Sequence, residues 1–273
     1  MVALLSETTT PLHYLRLLRD TMLRHPTGRR ILRARPRITS TTLPLTYLSS
    51  LPPTTFGATY AAWLRRERVT PDTRLPVRHV DDEECAYVLQ RYRETHDFLH
   101  VLTGMPVWVE GETAVKVVEY LGLGGRVPMA GVSVLGGVVR MGVGGVGRWM
   151  GAVRGYSDPW GELRRFWSVY GPWAVRSGLR MGDGRVGRIG GAEGVRESGG
   201  MEEEKGKVER NEREAGNQKA AAAEMGNFLC VYWEEWMDKD VDLLRRHLGI
   251  QLPPDMRDMR KRDREERARQ LKR

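Results

Sequence analysis

Glu94-Thr95-His96-Asp97-Phe98-Leu99-His100-Val101-Leu102-Thr103-Gly104-Met105-Pro106 reads as a helix running into a forced reversal. Upstream, Asp81-Asp82-Glu83-Glu84 places four acids where such a helix begins, and acids there complement the helix dipole. The sequence therefore predicts one long helix over residues 82–102. Thr103-Gly104-Met105-Pro106 breaks it, since proline disfavours helix in the residue before it. A further helix is expected over residues 112–121. Nothing in the chain alternates apolar and polar for long enough to demand a sheet, so the expected fold class is all-α.

The reversal bears directly on chemistry. His96 and His100 are four apart, so on a helix their imidazoles project from one face and can grip one cation. Glu112 lies sixteen residues after His96, about 24 Å along a straight helix. Gly104 and Pro106 supply the turn that folds the next helix back and brings Glu112 to the pair. Two imidazoles and one carboxylate suit zinc, with a position left open for water or substrate. Asp97 sits about 100° around the helix from His96, either as a fourth ligand or as a hydrogen-bond partner of the ligands; spacing leaves both open. The plain alternative is two ordinary histidines on a helix that precedes an acid. His13, His25, His79 and His247 have no ligand-like neighbours. Cys85 and Cys230 make neither a disulfide framework nor a four-thiolate zinc site, and Cys85 reads as a small buried apolar side chain.

Around this centre, the 273 residues are 29% charged and 40% apolar, which excludes disorder throughout and allows one sizeable core. The net charge of +9 comes from arginines spread along the chain, and no nucleic-acid module signature accompanies them. That excess suits an anionic membrane surface or an alkaline compartment, with solvated surface arginine as the plain alternative. The longest mostly apolar run, residues 127–139, holds 13 residues, short of the ~20 that a bilayer requires. Met1 to Glu7 shows neither a signal peptide nor an arginine-rich presequence, so this stretch does not show how the protein would be imported into an organelle.

Further helices are expected over residues 11–24, ended by His25-Pro26, and over 56–68, with residues 71–80 extended. Glycine is the anomaly: 25 of 31 fall between Gly104 and Gly200. Residues 122–155 read as an apolar tunnel wall, a membrane-surface segment or an insertion, and residues 158–177 as packed helix. Residues 1–180 thus form a helical domain carrying the metal motif. Residues 181–225 hold too few large apolar side chains to offset their ordering entropy and read as a disordered insertion. Phe228, Val231, Tyr232, Trp233, Trp236 and Leu243-Leu244 then predict a C-terminal helix over 226–254 that completes the domain. Residues 255–273, nine basic and five acidic, read as a solvated basic tail.

The signature H-D-x-x-H-x11-E formed by His96, Asp97, His100 and Glu112 resembles that of the fourth coenzyme Q (ubiquinone) biosynthesis protein family. Gly28-Arg29-Arg30-Ile31-Leu32, Thr55-Phe56-Gly57-Ala58-Thr59-Tyr60, Pro71-Asp72-Thr73-Arg74 and Arg91-Tyr92-Arg93-Glu94 resemble its blocks in order, as do Pro172-Trp173-Ala174 and Tyr232-Trp233-Glu234. The chain departs at residues 122–129, where four residues look inserted, and at 181–224, which has no evident family counterpart. The resemblance implies zinc at His96, Asp97, His100 and Glu112. It implies a lyase that removes the C1 carboxylate of a 4-hydroxy-3-methoxy-5-polyprenylbenzoate and helps organise the coenzyme Q biosynthesis complex. The implied location is the matrix side of the mitochondrial inner membrane, as a peripheral protein. The implied partners are the pathway's other enzymes, the polyprenylated hydroxybenzoate and the lipid surface, without nucleic acid. The rival reading is a non-catalytic, lipid-binding scaffold of that complex with a structural zinc. The substrate's tail is expected along residues 132–149.

Overall fold

The computed structural model describes residues 7, 10–73, 76–124, 164–182 and 227–270. Among these the helices in chain order are α1 (Leu12–Arg24), α2 (Pro26–Ala34), α3 (Leu45–Ser50), α4 (Phe56–Glu67), α5 (Glu83–Thr103), α6 (Val109–Gly122), α7 (Gly171–Gly182), α8 (Val241–Leu248) and α9 (Met256–Gln270). The described residues contain no strand beyond an isolated bridge between Thr55 and Asp240, and the fold is all-α as expected. No helix among them is long and apolar enough to cross a membrane.

Helix α5 is the axis of the molecule. Every residue from Tyr87 to Thr103 is buried, so the helix has no solvent face. Helices α1, α2, α4 and α6 all pack on it. Its ends follow the sequence: the Asp82 carboxylate accepts the Cys85 N–H at 3.0 Å, and Gly104 closes the helix at φ +69°. Polar groups on such a helix need partners inside the protein. Glu94 accepts from Arg37, from the Ile38 N–H and from Gln90. Arg91, fully buried, holds Glu234 at 2.6 and 3.0 Å. Arg93 reaches Glu7 at 2.8 Å. The apolar centre is a ring cluster in which Phe98 lies 4.8 Å from Tyr60, 5.2 Å from Phe56 and 5.1 Å from Trp233.

Helix α6 begins at Val109, a turn earlier than expected from sequence. Gly111 explains how the turn can be that tight: a Cβ there would stand 2.1 Å from the Pro106 carbonyl oxygen. The basic stretch after His25 is itself helical, with Pro26 opening α2 at the position where its missing N–H costs nothing. The expected packed helix over 158–177 is described only from residue 164. It starts as a π-helical turn, Phe166–Tyr170, that leaves Trp167 60% exposed, and then continues as α7. Residues 181 and 182 close α7, with Met181 buried, so the expected insertion begins no earlier than 183; residues 125–163 and 183–226 lie outside the described residues.

The C-terminal helix expected over 226–254 is replaced by two 3₁₀ turns, Phe228–Cys230 and Trp233–Trp236, followed by the short α8. Side chains dictate the breaks. Asn227 accepts the Leu229 N–H, the Trp233 indole donates to the Phe228 carbonyl, and Asp240 caps α8. This segment lies along the start of α4, where the Phe56 and Gly57 N–H groups donate to the Lys239 and Met237 carbonyls, both at 2.8 Å. The basic tail keeps its charge, but Met256 is buried and the first turns of α9 are docked on the body of the protein.

Candidate metal centre

Helices α5 and α6 meet where their facing stripes carry Tyr92, His96 and His100 on one side and Glu112, Lys116 and Glu119 on the other. His96 Nε2 and His100 Nε2 are 3.1 Å apart. The Glu112 carboxylate stands 3.2 Å from the first and 3.4 Å from the second. Among the described residues these three form the group whose ligand atoms converge, all within 4.8 Å of one another. The reversal predicted at Gly104–Pro106 thus brings Glu112 to the two rings. Asp97 is buried on α5 but stands outside this group.

The outer nitrogen of each ring is committed elsewhere. His96 Nδ1 lies 2.6 Å from Glu119 Oε1 and 3.1 Å from Lys116 Nζ; toward the nearer group, a carboxylate that can only accept, this nitrogen donates. His100 Nδ1 donates to the Met105 carbonyl at 3.1 Å. With both Nδ1 atoms protonated, the neutral form of each ring turns an unprotonated Nε2 toward the other ring and toward a carboxylate. Three electron-pair donors facing one another repel unless a proton or a cation sits among them. The donor set, two imidazoles and one carboxylate, fits a divalent metal ion with a coordination position to spare. The Trp63 ring stacks on His100, with centroids 5.6 Å apart, and fixes the plane of that imidazole.

Glu119 is fully buried between three partners. Besides His96, it accepts from Tyr92 Oη at 2.5 Å and from Lys116 Nζ at 2.7 Å. Burial pushes its carboxyl up, but the charges of Lys116 and His96 outweigh burial and bring it down to about 2. Burial likewise opposes ionisation of Glu112, yet its contacts with the His100 and His96 rings hold it well below the usual carboxylate range. It is an anion and an acceptor here, not a proton donor. His96 is disfavoured as a cation by its burial and by Lys116, but Glu119 and Glu112 prevail and its pKa is raised. Burial pushes the Tyr92 phenol well above its ordinary value, with Glu119 adding to it. The Glu112 side chain is 40% exposed while both histidines are buried, so the centre opens to solvent on the α6 side.

Sequence reasoning found His96, His100 and Glu112 but missed Glu119, Tyr92 and Lys116. Their signal was present: Tyr92 is one helical turn before His96, and Glu119 two turns after Glu112, on the same stripes.

Known proteins are similar to this chain over most of its length. The family described as "Coenzyme Q (ubiquinone) biosynthesis protein Coq4" matches residues 1–183. The ubiquinone biosynthesis protein COQ4, mitochondrial, of Arthroderma otae is 47% identical over 260 residues, covering 95% of this chain and 73% of its own length. The protein of the same name from Podospora anserina is 46% identical over 266 residues, 97% of this chain and 67% of its own. That of Aspergillus terreus is 44% identical over 273 residues, 100% of this chain and 73% of its own, so residues 181–224 fall inside the matched span. A crystal structure of a protein from Nostoc punctiforme PCC 73102 is similar over 86% of this chain and 81% of its own, at 18% identity and a TM-score of 0.49. On the family match over residues 1–183 and the relatives at 44–47% identity, the chain belongs to the coenzyme Q (ubiquinone) biosynthesis protein Coq4 family.

Proposed function

We propose that this chain is a zinc-dependent lyase that removes the C1 carboxylate of a 4-hydroxy-3-methoxy-5-polyprenylbenzoate. It does so as a peripheral protein on the matrix side of the mitochondrial inner membrane, within the assembly of coenzyme Q enzymes. Family membership places its role in ubiquinone biosynthesis, and its relatives are named mitochondrial. The observation that carries the finer reading is the meeting of His96 Nε2, His100 Nε2 and Glu112 with each ring's Nδ1 held from behind. That is how a carboxylate or carbonyl orients a metal-binding histidine. The resemblance adds Asp97 as a fourth ligand; three ligands and a solvent-facing side leave room for substrate.

In the reaction the C1–carboxylate bond breaks, carbon dioxide leaves, the bonding pair stays on C1, and C1 takes a proton. A zinc ion held by this set supplies a Lewis acid for the carboxylate or the phenolate oxygen. Glu119 and the Met105 carbonyl keep the two imidazoles aimed. Glu112 as an ion ligand is an anion and no proton source, and the solvent-facing side of the centre gives the proton for C1 a way in. The expected course of the polyprenyl tail, residues 132–149, lies outside the described residues.

The test gives the purified full chain a prenylated 4-hydroxy-3-methoxybenzoate and follows carbon dioxide release. Wild type should release it, and His96→Ala and Glu112→Ala should not. Asp97→Asn tests the fourth ligand through zinc content. Zinc at 100 times its Kd should also stabilise wild type by about 2.7 kcal/mol, with no shift in His96→Ala. No release from folded, zinc-loaded wild type would overturn the lyase reading and favour the scaffold.

A further inference from the structure

Glu110 and Glu112 share the first turn of α6 but leave it roughly 200° apart. Glu112 faces the histidines; Glu110, fully buried, faces the C-terminal part of the chain. Arg165, at the head of the π-helical turn, donates to Glu110 Oε1 from Nε at 3.1 Å and Nη2 at 2.9 Å. Arg260 of α9 donates to the other oxygen from Nε at 2.9 Å and Nη2 at 2.6 Å. Asp263, also on α9, pairs with Arg165, so two guanidiniums and two carboxylates balance in charge. Trp108 precedes α6 and contributes no capping side-chain bond; its ring lies 4.2 Å from the Arg260 guanidinium and 5.3 Å from that of Arg257.

We infer that Arg260 and Arg165, acting through Glu110, are positioning residues for the ion ligand Glu112. The inference rests on the ion-binding reading above. The first turn of α6 is gripped from both sides: Glu112 by the rings of α5, Glu110 by two paired forks. Remove one fork and a buried carboxylate loses two charged hydrogen bonds, so the turn rotates or frays toward water, and Glu112 moves with it. Zinc tolerates ligand distances within only ~0.2 Å, so a small rotation registers as lost affinity. The C-terminal helix, far from the ion in sequence, thereby sets how well the ion is held.

Zinc affinity of the full chain, measured by competition with a chelator, tests this on wild type, Arg260→Gln, Arg260→Lys and His96→Ala. The thermal midpoint of each is measured without metal, and cobalt absorption is recorded as a report on coordination. Arg260→Gln should bind zinc roughly 10–100-fold more weakly with an altered cobalt band. Arg260→Lys should fall between it and wild type, because an ammonium restores charge but not the two-pronged grip. Wild-type affinity in Arg260→Gln with only a lower thermal midpoint, while His96→Ala loses zinc, overturns the inference and leaves the ion reading standing. Absence of zinc binding by wild type overturns both. Should Arg260→Gln not fold, Arg260→Lys decides: affinity equal to wild type overturns the inference.

Discussion

Glu119 does for His96 what the Met105 carbonyl does for His100: it takes the Nδ1 proton and leaves Nε2 free for a cation. Glu119→Gln keeps the shape and removes the charge, so zinc affinity should drop about 10–100-fold in a chelator competition, while Tyr92→Phe should move it far less. The two thiols give the protein a pH signature of their own. Burial, with the Asp82 charge adding to it, pushes Cys85 up to about 11, and burial pushes Cys230 up to about 12. An unfolded thiol ionises near 9.0, so below that pH both states hold the proton and the contribution is intact. It is lost as pH rises through the folded values, because only the unfolded chain has released its protons. Denaturant midpoints should therefore fall between about pH 9 and 11, and a Cys85→Ala, Cys230→Ala variant should show a shallower fall. Of the residues at the centre, those legible in sequence were the ones with a distinctive type at a distinctive spacing. Glu119 and Lys116 share the stripe of Glu112 in sequence, but only the facing of α5 and α6 shows them buried or half-buried against His96.

At the scale of elements, the tight turn between α5 and α6 is the critical piece. Gly111→Ala drives a methyl into the Pro106 carbonyl, so either α6 shifts or the turn opens. It should lower stability by about 1–3 kcal/mol in denaturant unfolding, and zinc affinity should fall with it. Helices with strong punctuation were legible in advance: α1 ended by His25-Pro26, α4, and α5 between its acids and Gly104. Where apolar residues kept a helical spacing but short polar side chains competed for the backbone, the expectation failed. Asn227 and Asp240 divide the segment after 226 into turns and one short helix, since their oxygens capture N–H groups that a longer helix would need. The early start of α6 was hidden for a related reason: Gly111 looks like a break until the Pro106 carbonyl is seen against it.

Over the whole molecule, the C-terminal segment is tied to the central helix by a buried charge pair. Arg91 is fully enclosed, and Glu234 supplies its counter-charge. Glu234→Gln leaves that guanidinium without an anion and should cost about 3–5 kcal/mol, read as a lowered denaturant midpoint. Loss of the pair should loosen residues 227–250 together, visible as faster amide exchange in that stretch. The ion ligands and their hydrogen-bond partners, by contrast, all fall between Tyr92 and Glu119 in one unbroken stretch. That contiguity makes the centre a cassette that descent can carry intact. Transplanting that stretch alone would carry the ligands and their hydrogen-bond partners but leave behind the two arginines that reach Glu110.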